Sequence, residues 1–138
     1  MRMLMIHVDS FISTITEKGR SPIVEDYEQK TTNVNEALLV LASVEKKDAY
    51  EKGNISKKVA EEIANLANQL KIKTIVLHSF AHLFAELSKP EIAIEVLEMI
   101  KKELTQKNFE VVKTPFGWFN TLEIKAKGHP LSRVARIV

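Results

Sequence analysis

ALLVLASV, residues 37–44, is apolar but for Ser43. A strand with one wet face would place a polar side chain at every second position. A continuous apolar run signals a strand buried on both faces, at the centre of a sheet. Downstream, Gly53-Asn54 opens a helix: Ile55, Val59, Ile63, Leu66 and Leu70 recur at spacings of three and four, a single apolar stripe that predicts a helix over 55–70. TIVLHS, residues 74–79, is the next strand. Ser88 and Pro90 are a start signal for a second long helix over 90–107, with Glu91 and Glu95 near its positive end and a stripe of Ala93, Leu97, Ile100 and Leu104. FEVVKT (109–114) and FNTLEIKA (119–126) read as two further strands.

Upstream, RMLMIHV (2–8) reads as a buried strand, and FISTITE (11–17), which alternates Phe11, Ser13 and Ile15, as its hairpin partner. Residues 18–35 are polar, with Gly19 and Pro22, and read as a long loop; AHLFAELS (81–88) reads as a short helical turn. The resulting order is β-β-loop-β-α-β-α-β-β. Strand-helix-strand units imply parallel pairings in the middle, and the ends imply antiparallel hairpins. The expected fold is α+β: mixed β-sheet layers with two long helices packed on one side, in a single domain spanning 1–138.

Several function classes drop out on composition. There are no cysteines, which excludes disulfides, thiolate catalysis and cysteine-ligated zinc. No apolar run reaches the ~18 residues of a membrane span, and MRMLMIHVDS is too short for a signal peptide, so a cytoplasmic location is expected. Net charge is only +2, yet from Lys113 to Val138 five Lys or Arg face one acid, Glu123. That excess could draw a phosphate backbone, and a solvated strand face explains it equally well. The four histidines, His7, His78, His82 and His129, show no metal-binding spacing, and no phosphate loop, dinucleotide fingerprint or nucleophile elbow occurs. No metal or cofactor is expected. His82 differs from the rest in following a strand end, where α/β folds place working groups.

PFGWF (115–119) puts three aromatic residues and a glycine behind a proline, between two strands. Proline stiffens the chain, Gly117 permits close backbone approach, and one ring of Phe116, Trp118 and Phe119 could carry a base, with the others in the core. MLMIHVD, VLASVEK (40–46), FAHLFAELSKP (80–90), PFGWF and KGHPLSR (127–133) together resemble the archaeal editing domain of threonyl-tRNA synthetase, whose fold is similar to D-aminoacyl-tRNA deacylase. The resemblance covers nearly the whole chain. It implies hydrolysis of seryl-tRNA charged to the threonine tRNA, a homodimer, and partnership with tRNA and a synthetase catalytic domain, with no membrane. A synthetic site gains only ~1–3 kcal/mol from one methyl group, hence the need for a second sieve.

The resemblance also implies where the site lies. Val44, Ala81, His82 and the loop Pro115, Phe116, Gly117, Phe119, Asn120 should converge on one pocket, with Arg133 contributing to substrate binding. Backbone amides would hold the ester carbonyl, and His82 would bond a ribose hydroxyl or orient the attacking water. The family pattern has a tyrosine-lysine pair where this chain has Phe119 and Asn120, and a glutamate where it has Arg133; His82 matches. Asn120 then stands in the lysine's catalytic position with a neutral amide. Two readings follow: catalysis resting on backbone donors, a bound water and the tRNA 2′-hydroxyl, or a tRNA-binding module that has lost catalysis. Deacylation of D-aminoacyl-tRNA is a third, carried by the fold alone.

Overall fold

A computed structural model describes all of residues 1–138. Its longest strand, β1 (Arg2–Lys18), was expected as two. A tight hairpin turn favours a glycine at positive φ, and Asp9-Ser10 offers none. The chain instead runs straight on through a bulge between Val8 and Ser10 in its pairing with β6. The extra residue resets the alternation, so that Val8 and Phe11 both end up fully buried. One polar pair thus broke the sequence pattern without breaking the strand.

β1 serves as the spine. Its first half pairs antiparallel with β3 (Ala37–Ser43) on one edge and with β7 (Arg133–Ile137) on the other. Its second half pairs with β2 (Thr31–Val34) and with β6 (Trp118–Ala126). β2 lies inside the stretch expected as loop, and β7 was not foreseen. Both are edge strands of four and five residues, too short to show a clear period. β3, β4 (Thr74–Ser79) and β5 (Glu110–Lys113) are parallel, so the sheet is mixed, as expected. All seven residues of β3 are buried, which is what the ALLVLASV run demanded.

The crossovers are α1 (Lys52–Gln69) and α2 (Pro90–Gln106). Val59, Ile63 and Leu66 of α1 and Leu97, Ile100 and Leu104 of α2 join Met3, Val40 and Ile75 of the sheet in one core of 22 buried residues. Both helices therefore lie against the same side. The opposite side of the central strands is covered by the sheet itself: β1 curls, and Phe11, Val8 and Ile6 bury against Leu39 and Val76 in a second core of seven residues. No helix is long and apolar enough to cross a membrane.

Two local expectations fail. Residues 81–88 form no helical turn; Phe84 takes φ +54°, and Leu87 bridges antiparallel to Glu45. The segment's backbone bonds go sideways, Lys46 N–H to the Glu86 carbonyl at 2.8 Å and Ser88 N–H to the Val44 carbonyl at 3.0 Å. Those pairings leave nothing for an i−4 ladder. Ser88 is also not the cap of α2. Lys89 occupies that position, Pro90 follows as the first helical residue, and the Ser88 hydroxyl donates to the Lys89 carbonyl.

Candidate functional site

Parallel register aligns the carboxyl ends of three strands: Ala42 of β3 sits beside Ser79 of β4, and Leu77 of β4 beside Lys113 of β5. The segments that leave these ends, Val44, Phe80–His82 and Thr114–Phe116, must emerge together at one edge. This is where ligands bind in parallel sheets. Two adjoining cavities open there. The smaller, about 340 Å³, is walled by Val44, Phe80, Leu87, Ala93 and Phe116. The larger, about 640 Å³, is walled by His78, His82 and the run Pro115–Asn120. Arg20, Ser21, Ser79, Phe80, Ala81 and Phe116 face both.

Of the residues singled out from sequence, Val44, Ala81, His82, Pro115, Phe116, Gly117, Phe119 and Asn120 all line this double cavity. Arg133 does not. It lies on β7 opposite Ile6, and its segment is tied away from the cavity: His7 N–H donates to the Ser132 carbonyl and Lys127 N–H to the His7 carbonyl. Side chains reinforce that tie. His7 Nδ1 meets His129 Nε2 at 2.8 Å, His7 Nε2 meets Glu36 at 3.0 Å, and Lys127 pairs with Asp9 and Glu36. His7 and then Lys127 hold the Glu36 carboxyl below the usual range. KGHPLSR is thus a clasp on β1.

His82 is exposed, stacks edge-on against Phe80 with ring centroids 5.1 Å apart, and forms no hydrogen bond within the chain. Backbone amides are free beside it: those of Ala81, His82 and Gly117 find no acceptor in the protein. Asn120 spends one N–H on the Trp118 carbonyl at 3.3 Å. The aromatic loop divides its rings, but only Phe116 joins a core; Trp118 is half-buried against Tyr27. Phe116 packs on the larger core, Trp118 donates its indole N–H to the Glu25 carbonyl at 2.7 Å, and Phe119 stays 49% exposed.

Glu25 was missed, because it sits in the polar stretch read as loop. Its carboxylate grips Lys113 at 2.6 Å and accepts the Phe116 N–H at 2.9 Å, while its own N–H donates to the Phe116 carbonyl. No local sequence pattern announces a brace between positions 91 residues apart. Gly117 is required, but for a different reason than ligand approach. Its φ is +92°, and a Cβ there would fall 2.7 Å from Val24 Cγ1 and 2.9 Å from the Ile23 carbonyl oxygen. The missing side chain makes room for the chain itself. A valine at 117 would displace the loop before any ligand could meet it.

His78 forms part of the larger cavity's wall and is 4% exposed, with Nδ1 on the Thr114 hydroxyl at 2.8 Å. Burial lowers its pKa to about 4, so the ring is neutral at physiological pH. Most of the basic residues from Lys113 onward, by contrast, are compensated in space. Lys113 pairs with Glu25 and Glu98, Lys127 with Asp9 and Glu36, and Arg136 with Glu62. The local charge excess counted along the sequence is no free phosphate-binding strip.

The family model described as the Archaea-specific editing domain of threonyl-tRNA synthetase matches residues 1–138. This chain belongs to that family. Among its relatives, the threonine--tRNA ligase of Thermococcus kodakarensis is 39% identical over 139 residues, covering 100% of this chain and 22% of the ligase. That of Methanococcus aeolicus is 40% identical over 136 residues, covering 99% and 21%. The editing domain described here therefore spans about a fifth of the length of the curated relatives it matches. Its curled mixed sheet with two helices is consistent with the editing-domain fold, and the double cavity sits where that fold's parallel strands end.

Proposed function

We propose that this domain hydrolyses the seryl ester of the threonine tRNA, releasing serine and free tRNA, and spares the threonyl ester. The observation that carries the reading is the set of unpaired amides of Ala81, His82 and Gly117 on a cavity of substrate size, in a chain of the editing family. In this reading, water attacks the ester carbonyl carbon, and charge developing on the carbonyl oxygen is taken up by these fixed main-chain donors. The intermediate then collapses with the C–O bond to ribose breaking, and the ribose oxygen leaves with a proton. His82, free of partners, holds a ribose hydroxyl or the attacking water. Asn120 supplies a neutral donor at the position where the family pattern has a lysine, and Phe119 offers its exposed face to the terminal adenine. Threonine is spared where its extra methyl displaces the ester from the amides.

Neither cavity is lined by a carboxylate or a lysine, and this favours one rival: binding of tRNA without turnover. Deacylation assays on seryl- and threonyl-tRNA separate the two. Release of serine at least tenfold faster than threonine is the expected result; tight binding of both with no release would install the rival. Residues 1–138 act as the unit, as a homodimer, beside a synthetase catalytic domain. A monomeric mass in light scattering would remove the dimer from this reading.

A further inference from the structure

We propose that Arg20 is the phosphate anchor of this site, taking the phosphodiester on the 5′ side of the terminal adenosine. The inference builds on the reading above for the ester, but requires only that a nucleotide enter the cavity. Arg20 is exposed and is the one lysine or arginine lining either cavity, and it lines both. It makes no ion pair and no side-chain hydrogen bond, whereas Lys113, at the end of β5, is held by Glu25 and Glu98. With no carboxylate in either wall, the guanidinium is an uncompensated positive charge at the mouth of the site.

Its position is also fixed. The preceding Gly19 donates its N–H to the Gly117 carbonyl at 2.9 Å, and a Cβ on Gly19 would fall on that same carbonyl oxygen. On the other side, the Ser21 hydroxyl donates to the Ile23 carbonyl at 2.6 Å and accepts the Ile23 N–H at 3.2 Å. Arg20 is therefore tied to the aromatic loop through Gly19, and a local turn at Ser21 fixes the chain on its other side. The chemistry of the substrate then selects the contact. An aminoacyl adenosine carries a cationic amine and neutral hydroxyls, which an arginine repels or ignores. The anionic group of a tRNA end is its phosphate, and a planar guanidinium matches phosphate with two parallel hydrogen bonds.

The probes are adenosine and adenosine 5′-monophosphate, with binding followed by calorimetry on the wild type and on Arg20→Ala and Arg20→Lys. The wild type is expected to bind the monophosphate about tenfold more tightly than adenosine, a preference that shrinks with added salt. Arg20→Ala should bind both alike, with its adenosine affinity and thermal melt unchanged; Arg20→Lys should keep part of the preference. Equal binding of the two probes by the wild type, no binding of either, or a preference that survives Arg20→Ala would each overturn the anchor. A preserved preference in a protein that deacylates nothing would overturn the editing reading and leave the anchor standing.

Discussion

At position 82 a histidine faces a cavity with no hydrogen-bond partner in the chain, three residues past a strand end and beside free amides. Its exposed side chain touches the fold only through an edge-on contact with Phe80, so its removal largely isolates its part in chemistry. His82→Ala is expected to keep the wild-type melting temperature and to slow release of serine by about tenfold to a thousandfold, the range for one positioned donor or acid-base group. An unchanged rate would take His82 out of the mechanism. Neighbouring His78 shows the opposite design. The same residue type, four positions earlier, is buried, bonded to Thr114 and set edge-on to Phe11 at 5.9 Å. Sequence spacing cannot tell these two apart; burial does.

Among the elements, the loop between β5 and β6 depends most on others. Proline and glycine shape it, but Glu25 holds it, through side-chain and backbone bonds to Lys113, Phe116 and the Trp118 ring. Only the carboxylate bonds depend on the side chain. Glu25→Ala should therefore cost about 1–3 kcal/mol in denaturant unfolding, because it strips the partly buried Lys113 ammonium of one acid and orphans the Phe116 amide. Amide exchange at Phe116 should accelerate while exchange in α1 stays slow. Uniform acceleration across the molecule, or none at Phe116, would show that the brace is not local. The 81–88 segment follows the same logic, since its conformation is set by pairing with residues 44–46 and not by its own helical tendency.

The whole molecule should lose stability in acid in two stages. His78 has a folded-state pKa of about 4 against 6.5 unfolded, so the unfolded chain takes up the proton first. Stability from keeping this ring neutral is complete above pH 6.5 and is lost as pH falls toward 4, by about 3 kcal/mol at most. Glu45 acts lower. Burial works against its charge, but the Met1 amine at 3.0 Å, then Lys47 and Arg2, hold its carboxyl below the usual range. Its contribution is present above pH 4.5 and lost as pH falls through the lowered value. Urea midpoints measured across this range should fall between pH 6.5 and 4 in the wild type and flatten there in His78→Asn. Parallel curves for the two proteins would exclude His78 as the source.

What the sequence determined by itself was everything with a period or a long apolar run. ALLVLASV became a strand buried on both faces, and the stripes beginning at Ile55 and Ala93 became two helices on one core, because burial is written into local spacing. The family resemblance carried by local motifs also named eight residues that line the double cavity. Tertiary structure decided the rest. The bulge at Asp9 kept β1 whole, the pairing with β1 turned TTNV and RVARI into strands, and acids from distant segments neutralised Lys113, Lys127 and Arg136. It also left Arg20 without a partner. Edge pairing, charge compensation and the room around Gly117 depend on atoms far apart along the chain, and only the curl of the sheet brings them within reach.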